Sequence, residues 1–249
     1  MDSSIQAQTR LLPALRRFWT DEAARSGRLA ATRTLIAALW EFLCDSTPAR
    51  LRQRFGDADY DWDYRVNTTS GAVGWRERLL GVFHSAYQPT DLPSFREMLD
   101  SLEQRTALNF RDFTFLDLGS GKGRTLLMAS DYPFRRIVGV ELLPSLDRIA
   151  GENLRQYQSE SQQCFAIESV CADATAFAFP NEPLVIYLFN PFPESGLRRV
   201  MANLEASLRA HPRELYVLYY NPVFERVLAD RAVLRKIGGT ELYSMFRAQ

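Results

Sequence analysis

The chain lacks the features that would place it in a membrane or in an oxidising compartment. Its 249 residues contain no run of the roughly 18 consecutive apolar residues that crosses a bilayer, since the longest apolar stretch, residues 35–43, is interrupted by Glu41. The first ten residues do not show the basic and then apolar pattern of a signal peptide. Cysteine is scarce, with three residues and no C-x-x-C spacing. We therefore expect a cytoplasmic protein with reduced thiols, no membrane partner and no metal site.

The chain also lacks net charge and has very little lysine. The 30 basic and 30 acidic residues cancel, and Lys122 and Lys236 are the only lysines. Without an excess of positive charge, a general affinity for nucleic acid or anionic lipid is not expected. The arginine excess suits the recognition of carboxylate or phosphate groups, but genome composition explains it more simply.

A glycine loop between a strand and a helix is the most informative feature that is present. Residues 113–128 read FTFLDLGSGKGRTLLM, in which an apolar strand ends at Asp117, a loop carries Gly119, Gly121 and Gly123, and an apolar helical stretch follows. Glycines allow tight turns and a close approach of the backbone to a ligand, while the start of the helix offers unpaired N–H groups. This arrangement predicts a nucleotide-type ligand site.

An acidic residue at the end of the next strand supports the same interpretation. Residues 136–141, RIVGVE, form a second apolar strand that ends at Glu141. A carboxylate at this point can accept hydrogen bonds from two ribose hydroxyls. The glycine spacing is G-x-G-x-G, and Arg124 occupies the position where dinucleotide-binding proteins favour a small residue. Glu141 also argues against a 2′-phosphorylated cofactor, because its charge would repel the phosphate.

These motifs resemble those of the class I S-adenosylmethionine-dependent methyltransferases, whose first motif is an acid followed by G-x-G-x-G and whose second strand ends in an acid. The resemblance implies S-adenosylmethionine as the cofactor. It also implies that Asp173, which follows the apolar strand at residues 167–171, contacts the adenine amino group. The other residues that it assigns to the cofactor around the loop are Asp117, Gly119, Ser120, Gly121, Gly123 and Glu141.

The remaining elements predict the seven-stranded sheet of that family. Apolar strands alternate with amphipathic helices, which favours right-handed crossovers and a mostly parallel sheet. A C-terminal antiparallel hairpin is predicted from residues 233–237 and 242–246, with Gly238 and Gly239 in the turn. We therefore expect an α/β, Rossmann-like sheet with helices on both faces. The predicted strands not yet named are residues 184–189 and 215–220, and the predicted helices are residues 144–157 and 194–210.

The N-terminal region, residues 1–85, is expected to be a helical extension that helps to form the acceptor pocket, with the methyltransferase domain at residues 86–249. Thr20 is a candidate N-cap, and Gly27 is expected to break or bend the helix that follows. Residues 57–65, DADYDWDYR, admit two interpretations. They form either a lid or substrate loop, or a surface strand or turn whose alternating aromatic residues pack on the core.

The segment just before the first strand carries further candidates. By the same resemblance, Tyr87 and Thr90 lie where family members close an aromatic or polar segment over the methionine end of the cofactor. Thr90 or Asp91 can also cap a helix at residues 92–102, so a capped loop without a ligand is an open alternative. His84 is a candidate catalytic base if its loop folds over the site, and an exposed or capping histidine is the alternative.

Asn190, which follows the fourth strand, is the best placed residue for orienting the methyl acceptor and is also a candidate cofactor contact. Amino-methylating members of the class carry N-P-P-Y or D-P-P-Y here, whereas this chain reads NPFP at residues 190–193. That difference argues against methylation of a base or glutamine nitrogen. The D-L-G-S-G-K-G and G-V-E motifs also resemble those of the non-SET lysine methyltransferases that act on histones, but the basic tail of those enzymes is absent.

The resemblance implies in-line transfer of a methyl group to an acceptor that the sequence does not identify. A protein side chain or a small molecule is favoured over nucleic acid. Two other functions stay open at this point, an NAD-dependent oxidoreductase and a non-catalytic module that binds an adenosyl ligand. The sequence gives no indication of the oligomeric state.

Overall fold

The N-terminal part of the chain is helical. The computed structural model describes residues 11–45, 58–68, 90–189 and 191–249. Gly27, with a φ of 84°, separates the first two helices, as the sequence predicted. The Trp19 indole N–H donates to the Thr32 hydroxyl across them at 3.2 Å. The helices of this part are α1 (Leu11–Ser26), α2 (Arg28–Asp45) and α3 (Ala58–Tyr64).

Two local predictions in this part are wrong. Thr20 lies inside α1 and not at its start, so it is no N-cap. The segment expected to be a loop, strand or turn forms α3. Residues four apart in a helix share a face, so Tyr60 and Tyr64 lie together, and Tyr60 is buried whereas Trp62 is 85% exposed. The alternation of acids and aromatics therefore does not reflect the two-residue period of a strand.

The chain forms two compact units. The first consists of Met1–Asp63 and Thr69–Pro89, and the second consists of Tyr64–Thr68 and Thr90–Gln249. The second unit contains the whole sheet. The short segment 64–68 therefore belongs with the sheet, although it follows α3 directly in the chain.

The second unit is built on a seven-stranded sheet. Its strands are β1 (Thr114–Leu118), β2 (Arg136–Glu141), β3 (Ile167–Cys171), β4 (Leu184–Phe189), β5 (Leu215–Tyr220), β6 (Leu234–Gly239) and β7 (Tyr243–Ala248). The strand order is β3-β2-β1-β4-β5-β7-β6. The first five strands are parallel, and β7 pairs antiparallel with both β5 and β6. This architecture confirms the predicted Rossmann-like fold and its C-terminal hairpin.

Among the described residues, five α-helices connect or flank these strands. The first of them begins where the sequence predicted, with Asp91 as its N-cap and Pro93 in its first turn. None of the helices in the described residues is long and apolar enough to cross a membrane. The helices are α4 (Leu92–Thr106), α5 (Arg124–Ala129), α6 (Pro144–Gln156), α7 (Glu194–Ala210) and α8 (Arg226–Ala229).

Helices cover both faces of the central strands. On one face, the apolar side of α7 packs against alternate strand residues such as Leu116 and Ile186. On the other face, the Phe95 ring of α4 contacts the rings of Phe115 and Tyr187 edge-on, with centroids 5.9 and 5.6 Å apart. Burial from both sides explains why these strands are continuous apolar runs in the sequence.

The C-terminal hairpin differs in detail from its prediction. Gly238 and Gly239 lie in β6 and not in the turn, which is formed by residues 240–242. A bulge interrupts the pairing between Lys236 and Gly238. A Cβ atom on Gly239 would lie 2.4 Å from the carbonyl oxygen of Tyr243, so glycine is needed because the two strands approach closely.

Candidate active site

The strand order creates a switch point at the carboxyl end of β1. This strand lies between β2 and β4, so the chain passes to one side of β1 and returns on the other. In open α/β sheets, ligands bind outside the carboxyl ends of the strands at such a point. Asp117 lies near the end of β1, and the glycine loop (residues 119–123) follows the strand directly.

Left-handed backbone conformations define the path of the glycine loop. Gly119, Gly121 and Gly123 have φ values of 89°, 55° and 80°. The N–H groups of Gly119 and Ser120 both donate to the carbonyl of Val140 on β2, at 2.8 and 3.2 Å. Only glycine adopts such conformations without steric cost, so the glycine spacing reflects what the backbone requires.

The carboxylate of Glu141 lies against the glycine loop. Its Oε2 accepts a hydrogen bond from Gly121 N, and its Oε1 accepts one from Leu143 N, both at 2.8 Å. Burial raises the pKa of Glu141, while these two backbone hydrogen bonds lower it in part. A carboxylate has about four lone-pair positions, so it retains acceptor capacity for the hydroxyl groups of a ligand.

Asp117 is a second buried acid beside the loop. Its Oδ2 accepts a short hydrogen bond from the hydroxyl of Thr125 in α5. Burial raises the pKa of Asp117 to about 7, and the charge of Glu141 contributes to this rise against the effect of Thr125. A cationic ligand group near both acids would stabilise their ionised forms.

Close contacts surround the glycine loop on two sides. A Cβ atom on Gly119 would lie 2.4 Å from the Cβ of Pro191, which comes after β4. A Cβ atom on Gly139 of β2 would lie 2.6 Å from both the Ser120 hydroxyl and Leu126 Cδ1. Ser120 is buried, and its hydroxyl has no hydrogen-bond partner among the described residues. The loop is thus fitted tightly between β2 and the segment after β4.

Two hydrogen-bonded pairs join the start of α4 to the strand ends next to the loop. The Thr90 and Tyr187 hydroxyls lie 2.8 Å apart and are both buried. The Tyr220 hydroxyl donates to Asp91 Oδ1 at 2.9 Å, and the Tyr220 ring meets the Phe189 ring edge-on with centroids 4.8 Å apart. Burial raises the pKa of Asp91, but hydrogen bonds from Ser94 and Tyr220 outweigh this effect, so the pKa is lowered from its ordinary value.

Asp173 lies beyond the carboxyl end of β3, as predicted. It caps the short 3₁₀ turn Ala174–Ala176, where its Oδ1 accepts a hydrogen bond from Thr175 N at 2.9 Å. The preceding residue, Ala172, donates its N–H to the carbonyl of Glu141 at 2.9 Å. The segment that carries Asp173 is therefore attached to the end of β2 where Glu141 lies.

Three of the predicted site residues, His84, Tyr87 and Asn190, lie outside the described residues. Their neighbours Thr90, Phe189 and Pro191 have the contacts given above. The catalytic roles of His84 and Asn190 and the cofactor contact of Tyr87 therefore stay predictions.

Two charged residues of the loop region have roles that the sequence analysis did not identify. Lys122 is 0% exposed, and its Nζ donates to Asn67 Oδ1 at 2.9 Å. Arg124 is 2% exposed and donates from Nε to the Thr90 carbonyl at 2.9 Å and from Nη1 to the Thr68 hydroxyl at 3.0 Å. Lys122 is one of two lysines in a chain whose other basic residues are arginine or histidine, and this rarity was a signal for a specific role.

A separate cavity of about 350 Å³ lies near the start of β3 and the end of α6. The start of β3 is the amino end of a parallel strand, whereas the glycine loop lies at the carboxyl ends, so this cavity is not part of the candidate site. Its lining residues are Leu154, Tyr157, Gln158, Ser159, Gln162, Phe165 and Ile167.

Several solved structures are similar to this chain. An RNA methyltransferase from Salinibacter ruber, solved in complex with S-adenosyl-L-homocysteine, is 22% identical over 64% of this chain and 92% of its own, with a TM-score of 0.42. A ribosomal protein L11 methylase from Lactobacillus delbrueckii subsp. bulgaricus is 12% identical over 64% of this chain and 80% of its own, with a TM-score of 0.44. The methyltransferase domain of the bacterial protein CtHen1-CN is 16% identical over 64% of this chain and 100% of its own, with a TM-score of 0.45.

These three proteins are methyltransferases by description. No protein-family model matches the chain, and no curated protein does. At these identities and TM-scores the likeness assigns no activity or substrate to this chain.

Proposed function

We propose that this chain is an S-adenosylmethionine-dependent methyltransferase. The observation that carries this proposal is the hydrogen bond from Gly121 N to the Glu141 carboxylate at 2.8 Å, which puts an acid from the end of β2 against a loop of three left-handed glycines. This arrangement suits a ligand with ribose hydroxyls, because the carboxylate retains acceptor positions for them.

The acids beside the loop fit the charge of this cofactor. When bound, S-adenosylmethionine would supply an activated methyl group on a positively charged sulfonium, together with an ammonium group. Asp117 and Glu141 are both buried, and the pKa of each carboxyl group is raised by burial. A cation beside them lowers the cost of keeping them ionised, so the free energy of burying the acids is partly recovered on binding.

The environment of Arg124 supports an adenosyl sulfonium over NAD. Dinucleotide sites place a small residue at this position so that the helix packs closely on the strand. Here the guanidinium is buried and bonded to Thr68 and Thr90. A long side chain with fixed partners is the opposite of what a dinucleotide site needs at this position.

The acceptor would approach beside the carboxyl ends of β4 and β5. Tyr220 and Phe189 lie at those ends, and Asp91 accepts a hydrogen bond from the Tyr220 hydroxyl. A phenol whose proton is held by a carboxylate presents its oxygen lone pairs to an incoming N–H or O–H group. These residues would orient the acceptor for in-line attack, which is the main task left to the protein in this reaction.

We infer that the acceptor is a protein side chain or a small molecule. The formal net charge of zero supports this choice over nucleic acid, because a general affinity for phosphate backbones comes from an excess of positive charge. A structured RNA is the competing acceptor, and a local basic surface rather than the overall charge would have to bind it.

The proposal is tested by incubating the purified chain with methyl-labelled S-adenosylmethionine and fractionated extract. If label enters protein or small molecules only when the chain is present, the proposal is supported in full. Label in RNA would support the proposed methyltransferase activity but would overturn the proposed class of acceptor. Binding of the cofactor without any transfer to any fraction would indicate a non-catalytic adenosyl-binding module instead.

A further inference from the structure

Segment 64–68 is attached to the sheet unit by packing and by an unusual turn. Val66 and Thr68 are buried, and the Tyr64 ring contacts the Tyr157 ring with centroids 5.2 Å apart. Arg65 has a φ of 53°, a left-handed conformation that costs a non-glycine residue free energy and persists only where surrounding contacts impose it. The path of this segment is therefore set by what it contacts.

Asn67 connects this segment to both α6 and the glycine loop. Its backbone N–H donates to Asn153 Oδ1 at 2.8 Å, and its carbonyl accepts from Asn153 Nδ2 at 3.0 Å. The same Asn153 Nδ2 donates to the carbonyl of Lys122 at 2.9 Å, and the Lys122 ammonium donates to Asn67 Oδ1 at 2.9 Å. These bonds form a closed ring through Asn67, Asn153 and Lys122.

The ring holds Lys122 from two sides at the middle of the glycine loop. Lys122 lies between Gly121 and Gly123, and both its carbonyl and its ammonium are bonded within the ring. Glycine-rich backbone has many accessible conformations, so ordering it on binding costs conformational entropy. A loop that is already fixed in the free protein avoids that cost and binds its ligand more tightly.

We propose that Asn67 is a positioning residue for the cofactor loop. We call the ring of Asn67, Lys122 and Asn153 the loop clamp. Asn67 acts through Lys122 and has no contact of its own with the reacting groups. The inference rests on the proposed function, because it concerns the same adenosyl-binding loop.

Asn67 is well suited to a test because its side chain can be changed without opening the core. The residue is exposed, whereas Lys122 and Asn153 are buried. Asn67→Ala removes the Oδ1 acceptor that Asn67 offers to the Lys122 ammonium and leaves the two backbone bonds to Asn153. Asn67→Asp keeps an acceptor oxygen and places a negative charge opposite the ammonium.

The matched control is Asn109→Ala. Asn109 is also exposed, and its side chain makes two hydrogen bonds, one to Asp112 and one from Arg111 N. It precedes β1 and therefore lies at the amino end of the sheet, away from the glycine loop. Both alanine variants lose side-chain hydrogen bonds, but only Asn67→Ala disturbs the loop clamp.

The experiment is calorimetric titration of the wild-type chain and the three variants with S-adenosylhomocysteine, together with their melting temperatures. We expect Asn67→Ala to weaken binding about tenfold, the scale for losing a hydrogen bond to a charged group. Asn67→Asp and Asn109→Ala should each bind S-adenosylhomocysteine with an affinity within about twofold of wild type. A difference of this size is expected for substitutions that do not affect the cofactor loop.

The outcomes separate the two proposals. If the wild-type chain binds and Asn67→Ala binds equally well, the positioning role of Asn67 is overturned while the proposed function stands. Equal weakening by Asn67→Ala and Asn109→Ala, in step with their melting temperatures, also overturns the positioning role, because general destabilisation then explains the loss. If the wild-type chain itself does not bind, both proposals fail together.

Discussion

The Glu141 carboxylate accepts a hydrogen bond from the backbone N–H of Gly121, with 2.8 Å between the two atoms. Glu141 ends β2, and Gly121 lies in the middle of the loop after β1, so this bond joins the two motifs that the sequence placed 20 residues apart. The relationship makes the acid and the loop a single preformed unit, and it supports the proposal of an adenosyl site.

Replacing Glu141 by alanine should weaken binding of S-adenosylhomocysteine about 10- to 150-fold. This corresponds to about 1.5 to 3 kcal/mol, the scale for losing hydrogen bonds to a charged acceptor. Calorimetric titration measures the change. Glu152→Ala is the matched control, because Glu152 is a partly exposed acid on α6 that pairs with Arg148 at 2.6 Å. Equal affinity of Glu141→Ala and Glu152→Ala, with both variants folded, would contradict the assignment of Glu141.

Gly119→Ala should abolish binding of the adenosyl ligand, because the new Cβ would lie 2.4 Å from Pro191 Cβ and must displace the loop or the segment after β4. Gly27→Ala provides the control for backbone strain alone, since Gly27 has a similar φ of 84° but nothing within 4 Å of the new Cβ. Each variant should lose about 1 to 2 kcal/mol of stability from its left-handed conformation. Titration and chemical denaturation separate the two effects, and normal binding by Gly119→Ala would show that the contact with Pro191 does not constrain the site.

Ligand affinity should rise with pH through neutrality. Burial raises the pKa of Asp117 to about 7, so at pH 6 the free protein holds a proton there that a cationic ligand must displace, whereas at pH 8 it does not. By linkage, affinity for S-adenosylmethionine, whose sulfonium is cationic, should increase about tenfold between pH 6 and pH 8. The Asp117→Asn variant should show a flatter profile. A profile that is flat in the wild type, or equally steep in Asp117→Asn, would remove Asp117 from the site.

The bond between Asp91 and Tyr220 should stabilise the fold only while Asp91 is ionised. Burial raises the pKa of Asp91 in the folded state, but hydrogen bonds outweigh this effect and lower the pKa below its ordinary value. The stabilisation that ionised Asp91 gives to the fold is therefore present above about pH 4 and is lost as the pH falls through the folded-state pKa. A double-mutant cycle with Asp91→Ala and Tyr220→Phe, measured by urea unfolding, should give a coupling of about 1 kcal/mol at pH 7. The neutral pair of Thr90 and Tyr187 is the control, whose coupling should not change with pH. Coupling of Asp91 and Tyr220 that persists undiminished at pH 2 would argue against an ionic component.

Most of the sheet could be predicted from the sequence because its strands are buried on both sides and follow one another in regular crossovers. The β4 and β5 bounds, Leu184–Phe189 and Leu215–Tyr220, coincide with the apolar runs. The sequence failed at α3, where seven residues are too few for the helical and strand periods to be told apart. It also misplaced Gly238 and Gly239, because a bulge allowed glycines to lie in a strand.

The sequence predicted only those parts of the candidate site whose residues follow a recognisable spacing within a short stretch of the chain. The glycine loop and Glu141 have recognisable spacing, whereas the partners of Lys122 and Arg124 lie 55 and 56 residues away at Asn67 and Thr68. Nothing in a single sequence pairs residues at such distances. Burial of two charged side chains beside the loop therefore emerged only with the tertiary structure.

The most direct test of the central claim is a parallel calorimetric titration of the purified chain with S-adenosylhomocysteine and with NAD. The account predicts saturable binding of one S-adenosylhomocysteine per chain, abolished in Gly119→Ala, and no heat of binding with NAD. Binding of NAD with no binding of S-adenosylhomocysteine would contradict it and would assign the glycine loop to a dinucleotide.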